Sequence, residues 1–167
     1  GNNWNETFIT AELGMEKITL WLHSNILTLN SSKTKFLAFS LTDSKKPVRN
    51  TIKLHHCKIN RLDCNCPSVE RTDNIKYLGV IIDDLLWWDK HIIQQTTKLR
   101  KLVYSFIQLR QILTLDTLKI VYHALVESIA RYGILAWGAT YFCHINPVFK
   151  VQKLILRIMG QKHPLYP

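Results

Sequence analysis

The chain has 167 residues, 47% of them hydrophobic, which is enough to bury the core of one domain, or of one small and one partial domain. This composition excludes a chain that is disordered throughout. The formal net charge is +10, and it is uneven: residues 1–88 contain 11 Lys and Arg against 9 Asp and Glu, whereas residues 89–167 contain 11 against 3. A part of net charge +2 therefore precedes a part of net charge +8, which favours a polyanion as partner, with an anionic membrane surface as the alternative.

The sequence carries no recognisable targeting or membrane signal. No uninterrupted apolar run reaches the roughly 18 residues that a membrane-spanning helix needs. The first residues, Gly1 to Trp4, have neither the charged nor the apolar part of a signal peptide. We therefore expect an intracellular protein, nuclear or cytoplasmic, that is neither secreted nor inserted in a membrane.

The cysteines agree with an intracellular compartment, where thiols stay reduced. Three of the four lie close to His55 and His56, which makes a zinc site the competing interpretation. Structural zinc sites use cysteine pairs separated by two to four residues, and this spacing does not match. We interpret the cysteines as reduced thiols: Cys57, Cys64, Cys66 and Cys143.

The first predicted element is a helix with one apolar stripe, in which Gly14 costs about 1 kcal/mol relative to alanine. The stripe consists of Phe8, Ala11, Met15, Ile18 and Leu22. Two extended segments follow, residues 26–29 and 34–39, on either side of the turn formers Asn30-Ser31-Ser32. Further strands are predicted at Thr51–His56, which we pair with Ser68–Arg71, and at Tyr77–Ile82, where Gly79 interrupts the row of side chains.

The second half of the chain has helical periodicity throughout. One helix begins near Asp89 and a second near Asp116, each with the aspartate as a plausible cap, and a third covers Pro147–Met159 and ends at Gly160. The inward stripe of the first is Ile92, Thr96, Leu99, Val103, Phe106 and Leu113, and that of the second is Leu118, Val121, Tyr122, Leu125 and Ile129. The sequence thus predicts an α+β fold: a small antiparallel sheet with one packed helix in residues 1–88, then a helical bundle in residues 89–167.

One stretch resembles the end of the palm domain of a polymerase. The residues that match are Trp21, Leu22, Asn25, Leu27, Leu29, Asn30, Lys33 and Thr34. Their order and spacing are similar to motif D of reverse transcriptases from non-LTR (LINE-like, jockey-type) retroelements. The resemblance implies a right-hand polymerase fold, and a role for Lys33 as the general acid that protonates the departing pyrophosphate, with Lys35 as second candidate. Two solvated lysines beside a turn are the alternative.

A second stretch, Tyr77-Leu78-Gly79-Val80, resembles motif E of the same family. The likeness continues through Ile82-Asp83, Trp88 and His91-Ile92. It implies a primer grip, the strand and turn that position the 3′ end of the growing DNA, and assigns nucleic-acid binding to Tyr77, Leu78 and Gly79. A missing Cβ would let a nucleic-acid backbone come close. The alternative is a core strand with a glycine at a bulge, which is compatible with a grip.

The basic helical part resembles the thumb, which follows the backbone of the template–primer duplex. Lys98 and Lys101 lie with Gln94, Ser105 and Gln108 on the predicted polar face of the first helix, and Arg110 adds charge. The likeness also rests on Trp87 and His91 and on the pattern Tyr132-Gly133…Trp137-Gly138. A solvated helix face is the alternative.

The aspartates that bind metal in this family precede motif D, and no such motif precedes it here. Asp83-Asp84 lies downstream of it, and we interpret these two residues as the end of a strand and a turn. The resemblance therefore implies a C-terminal fragment of an RNA-directed DNA polymerase, with no metal site of its own and inactive alone. The complete enzyme would add Mg²⁺, the upstream palm and the fingers, and would act on an RNA template and a DNA primer. The alternative is a non-catalytic nucleic-acid-binding or protein-interaction domain derived from a retroelement.

Overall fold

The computed structural model describes residues 3–40, 42, 45–55 and 65–160. They form an α+β arrangement of several helices and small sheets, in agreement with the predicted class. The elements are α1 (Trp4–Ser24), β1 (Lys35–Phe36), β2 (Thr51–Lys53), β3 (Ser68–Arg71), β4 (Asn74–Tyr77), β5 (Val80–Asp83), α2 (Asp89–Ile112), α3 (Leu115–Val121), a π-helical segment (Tyr122–Glu127), α4 (Ser128–Arg131), α5 (Ile134–Trp137) and α6 (Phe142–Gly160). No helix within these ranges is long and apolar enough to cross a membrane.

The chain divides into two compact units. The first contains residues 1–75 and 83–85, and the second contains residues 76–82 and 86–167. The chain passes from one unit to the other within the β4–β5 hairpin, so that the tip of this hairpin belongs to the helical unit.

In the first unit, α1 buries Phe8, as the stripe predicts, but Ile18 is 50% exposed. The side chain of Asn3 caps α1 by accepting a hydrogen bond from the amide of Asn5. The helix ends in a Schellman-type arrangement, in which the amides of Leu27 and Ile26 donate to the carbonyls of Leu22 and His23 at 2.8 and 3.1 Å.

The predicted extended segment at residues 26–29 is not a strand. Ile26 has φ of 59° and is 96% exposed, because it occupies the left-handed position that ends α1 and is usually filled by glycine. The other extended segment, residues 34–39, shortens to β1. Because no glycine follows α1, the sequence does not indicate the residue at which this helix ends.

The first unit contains a three-stranded sheet in the order β1-β3-β2. The predicted pairing of β2 with β3 is confirmed, and it is antiparallel, with buried Ile52 opposite buried Val69. The prediction of an antiparallel sheet is only partly correct, because β1 lies beside β3 and runs parallel to it. Asp83 ends β5 and Asp84 lies in the following turn, as expected, and the buried Asp84 carboxylate forms an ion pair with Lys46 at 2.9 Å.

The second unit is built around α2, whose inward stripe is confirmed, with Leu99 and Phe106 fully buried. The apolar core joins α2, α3, the π-helical segment, α5 and α6 through Trp88, Ile92, Leu99, Phe106, Leu118, Val126, Trp137, Ile145, Val148, Val151, Ile155, Ile158 and Met159. Because these side chains come from helices far apart in sequence, this unit has a continuous core of its own.

Neither predicted aspartate cap is correct. Trp88, with φ of 68°, occupies the cap position of α2, and the Asp89 carboxylate contacts Nδ1 of His144 in α6 instead. Thr114 caps α3 by accepting from the amide of Thr117, whereas Asp116 binds Lys119 at 3.1 Å. Both carboxylates lie in the first turn of their helix, where negative charge is favourable even without a cap hydrogen bond.

Two helices differ from their predicted phase or bounds. The π-helical segment adds a residue to one turn, so that Val126 is fully buried while Leu125, which the regular stripe predicts to be inward, is 43% exposed. α6 begins at Phe142, five residues before Pro147, which therefore lies inside the helix. Proline removes one helical hydrogen bond, but the burial of Ile145 and Val148 on the same face keeps this turn helical.

Candidate nucleic-acid interface

The hairpin of β4 and β5 turns at Leu78-Gly79. Both residues have positive φ, 44° and 85°, as a two-residue hairpin turn of type I′ requires. The predicted continuous strand Tyr77–Ile82 is therefore wrong: Gly79 lies in a turn, not in a row of strand side chains. A leucine in the left-handed region is unfavourable, by about 1 kcal/mol or more, so contacts elsewhere must hold the turn.

The tip of this hairpin is exposed on one side and anchored on the other. Tyr77 is 62% and Leu78 is 73% exposed, and Lys76 beside them is also exposed. Val80 and Ile82, on the returning strand, pack against the core of the helical unit. The tip therefore presents an aromatic ring, an aliphatic side chain and a cation outward from a supported backbone.

Tyr132, between α4 and α5, holds the turn. Its hydroxyl donates to the carbonyl of Leu78, and its ring lies against Gly79, where an added Cβ would come within 3.2 Å of a ring carbon. Gly133 has φ of 66°, and a Cβ there would lie 2.9 Å from a methyl carbon of Val80. Hairpin and helices therefore approach each other at two glycines, and neither position tolerates a side chain without displacement.

Behind Tyr132 the contacts continue into the core. The Trp137 indole donates from Nε1 to the carbonyl oxygen of Tyr132 at 2.9 Å, and Trp137 is only 1% exposed. The ring of Trp137 lies 5.6 Å from that of His91, measured between centroids. The position of the Tyr132 backbone is thus fixed by a buried aromatic side chain.

His91 links α2 back to the hairpin. Its Nδ1 accepts a hydrogen bond from the backbone amide of Ile81 at 3.3 Å, and the ring is fully buried. Burial lowers the pKa of His91, and the positive charge of Lys98 lowers it further. The neutral form is therefore favoured, and because Nδ1 is an acceptor, the ring proton is on Nε2.

The proton on Nε2 faces the carboxamide of Gln95, whose nitrogen lies 3.2 Å from it. Turning the carboxamide by 180° places its oxygen there as the acceptor. This orientation also satisfies the Gln95 oxygen, which otherwise has no hydrogen-bond partner among the described residues. Gln95 thus supports the ring of His91, and His91 closes a set of contacts that begins and ends on the hairpin.

The predicted cationic face of α2 is partly assembled. Lys98 and Lys101 are both exposed, with Ser105 and Gln108 on the same side of the helix. Arg110 is only half-buried and lies nine residues from Lys101, which places it on the opposite side of α2. The structure therefore brings Lys98 and Lys101 together but separates Arg110 from them.

Lys33 lies in the first unit, in the turn that follows α1. Asn30 organises this turn: its side-chain oxygen accepts from the Lys33 amide at 3.1 Å and from the Ser32 hydroxyl at 2.7 Å. The ammonium group of Lys33 is exposed and makes no ion pair within the part of the chain that the structure describes, whereas Lys35 pairs with Glu70 at 2.6 Å. Of the two candidate lysines, Lys33 is the one available to a ligand.

The carboxylates and thiols do not assemble into a metal site in the described ranges, where no group of three or more His, Cys, Asp or Glu side chains could hold an ion. Cys57, Cys64 and His56 of the zinc alternative lie outside the described residues. The sequence pattern singled out Tyr132, Trp137 and His91 without giving them a role, and Lys76 was missed because a lone lysine on a strand carries no signal.

Comparison with known proteins relates the chain to retrotransposon polymerases. Over 94 residues it is 29% identical to a protein of Drosophila melanogaster described as a probable RNA-directed DNA polymerase from transposon X-element. The match covers 54% of this chain and 10% of that protein. No family model and no solved structure matches. The chain is therefore a distant homologue of a retrotransposon reverse transcriptase, and corresponds to a small part of its length.

Proposed function

We propose that the chain is the end of the palm and the thumb of a non-LTR retroelement reverse transcriptase, and that the β4–β5 hairpin is its primer grip. The observation that carries this proposal is the anchored turn: Leu78-Gly79 is exposed at its tip and held from behind by Tyr132. A grip needs this combination, because it must contact a DNA end while its own backbone stays in place.

At the tip, each side chain suits a different part of a primer terminus. Tyr77 offers a ring face on which a base or sugar can stack, and Gly79 lets a sugar–phosphate backbone come close. Lys76 adds a cation for a phosphate. These contacts are independent of base sequence, as primer binding by a polymerase must be.

Lys98 and Lys101 would bind phosphates of the template–primer duplex along the exposed face of α2. They follow one face of a helix at a three-residue step, about 4.5 Å apart along the axis. Because contacts to phosphate release counterions, binding through them depends strongly on salt. Arg110, on the opposite side of α2, would contribute only to the overall field.

Lys33 would serve the complete enzyme as the proton donor to pyrophosphate. Its exposed ammonium group, which forms no ion pair with the described residues, fits that role better than that of Lys35, which pairs with Glu70. The described carboxylates do not fit a Mg²⁺ pair, since Asp84 is occupied by Lys46 and no acidic cluster forms. We therefore derive no metal-dependent step, and we expect this chain to be inactive without the upstream palm and fingers.

Primer extension and salt-dependent binding test the proposal together. The purified chain, given Mg²⁺, deoxynucleotides and an RNA template with a DNA primer, should incorporate nothing; incorporation would contradict the inactivity. It should bind the duplex, and Lys98→Ala and Lys101→Ala should each reduce the slope of log K against log salt by about 1. Lys17→Ala, an exposed lysine in α1, is the matched control and should leave the slope unchanged.

A protein-interaction role is the second candidate, favoured by an apolar face on α1. Ile9, Leu13 and Leu20 follow one side of this helix and are 54%, 42% and 68% exposed. Size-exclusion chromatography with and without duplex separates the two functions. A nucleic-acid module shifts only with duplex, whereas an interaction domain shifts with protein concentration alone.

A further inference from the structure

We propose that Tyr132 is a positioning residue for the primer terminus: its hydroxyl holds the Leu78-Gly79 turn in the conformation that binds a 3′ end. This inference rests on the proposed function of the hairpin. It adds a residue outside motif E, on the connection between α4 and α5, and assigns it a role distinct from general support of the fold.

The turn needs a hold that its own strands do not supply. An isolated two-stranded hairpin is marginal in water, and this turn places a leucine at φ of 44°. β4 and β5 are each four residues long and pair only with each other among the described strands. The conformation at the tip therefore depends on contacts from the helical unit.

Among the described residues, the hydroxyl of Tyr132 is the side-chain group that hydrogen-bonds to the turn. It donates to the carbonyl of Leu78, the first residue of the turn, while the ring covers the Cα of Gly79. Tyr132 is 50% exposed, so burial of its ring is not its main contribution to the core. The backbone of Tyr132 is held in place by the hydrogen bond that the Trp137 indole donates to its carbonyl oxygen.

Two roles are thus divided between neighbouring aromatic residues. Trp137 is fully packed, touches His91 and stabilises the helical unit, whereas the phenol oxygen of Tyr132 fixes the turn. Removal of this single oxygen should leave the core intact and release the tip. The expected consequence is a loss of affinity confined to a nucleic acid with a free end.

The experiment compares two RNA–DNA duplexes of equal length, one with a recessed DNA 3′ end and one with both ends closed by loops. The wild-type chain should prefer the open duplex. Tyr132→Phe should lower affinity for the open duplex by about threefold to tenfold, the effect of one net hydrogen bond, and leave affinity for the closed duplex and its salt slope unchanged. Tyr141→Phe, which removes another exposed phenol oxygen of the same unit, should change neither.

Hydrogen exchange supplies a second measurement on the free protein. In Tyr132→Phe the amides of residues 78–81 should exchange faster, with those of α2 unchanged. Tyr141→Phe, the matched control, should leave the exchange of residues 78–81 unchanged. Circular dichroism should show that each variant has the helix content of the wild-type chain.

The outcomes separate the two proposals. If Tyr132→Phe retains the preference for the open duplex, the positioning role is overturned and the nucleic-acid function stands. If the wild-type chain binds both duplexes equally, the primer grip fails and the positioning role fails with it. Loss of the preference in Tyr132→Phe, with normal binding of the closed duplex and faster exchange at residues 78–81, supports the positioning role.

Discussion

The two units of this chain differ in how completely they bury their own apolar residues. The helical unit has a continuous core in which Leu99, Phe106, Leu118 and Ile155 are fully buried. In the first unit fewer apolar residues are buried among the described ones, namely Phe8, Ala38, Ile52, Leu54 and Val69, and α1 exposes apolar residues on a second face. The helical unit thus has a core of its own, whereas the first unit buries fewer of its described apolar residues.

The largest effect expected from this difference follows from matched core truncations. Phe106→Ala should lower the free energy of unfolding of the helical unit by about 3–5 kcal/mol, because Phe106 is fully enclosed and leaves a cavity. Phe8→Ala should cost less, at or below the lower end of that range. Phe8 lies against Trp4, Phe36 and the guanidinium of Arg49, and these partly exposed groups can close the space.

Hydrogen exchange in increasing denaturant measures the two losses separately, through amides of α2 and of α1. Equal losses in both units would contradict the difference in packing. Exposed Phe39 in the first unit is the control: truncation to alanine there should change neither set of amides.

An intermediate effect is expected from pH in the helical unit. Unfolded His91 titrates near 6.5, and burial lowers its pKa in the folded chain. Below that value the unfolded state binds more protons, so the free energy of unfolding should fall as pH falls from 6.5 toward the folded pKa, and should be fully restored above 6.5. Protonation at Nδ1 would also replace the acceptor for the Ile81 amide with a second donor.

Denaturant unfolding at a series of pH values between about 7.5 and 5.5 checks this. In His91→Asn the side-chain oxygen can still accept a hydrogen bond from the Ile81 amide, but it does not titrate. The free energy of unfolding of this variant should therefore depend less on pH. A wild-type profile that stays flat across this window would contradict a neutral, buried His91.

The smallest effect on stability is expected on the exposed face of α1. Leu20→Gln should change the free energy of unfolding by no more than about 0.5 kcal/mol, because Leu20 is 68% exposed. It should nevertheless reduce self-association if the apolar face of α1 is the surface involved. Leu135→Gln, in the helical unit at 99% exposure, is the matched control, and sedimentation velocity compares the two. An equal reduction by both variants would remove the distinction between the units.

Helical periodicity was the feature of the sequence that best predicted which residues are buried. The stripe of α2 places Ile92, Leu99 and Phe106 in the core as expected, because a regular helix repeats its inward face every three to four residues. The prediction failed at Leu125, where a π-helical turn shifts the inward position to Val126. A shift of this kind depends on how the helix packs and leaves no mark in the spacing of apolar residues.

The predictions for the end of α1 and for the turn of the hairpin were wrong for a related reason. At both, a residue that disfavours the left-handed region adopts it: Ile26 has φ of 59° and Leu78 has φ of 44°. Local propensity predicts neither, since glycine is the usual residue there. Gly79 was correctly singled out as unusual, but its interpretation as a strand residue was wrong.

The sequence by itself determined the α+β class, the long amphipathic α2, the β2–β3 pairing and a basic second half, because periodicity and charge are local properties of a chain. Only the tertiary structure decided that the hairpin tip joins the helical unit and that Tyr132, Trp137 and His91 hold it. His91 and Tyr132 lie 10 and 54 positions from their hydrogen-bond partners on the hairpin, and a hydrogen bond between distant residues exists only once folding has brought its donor and acceptor together.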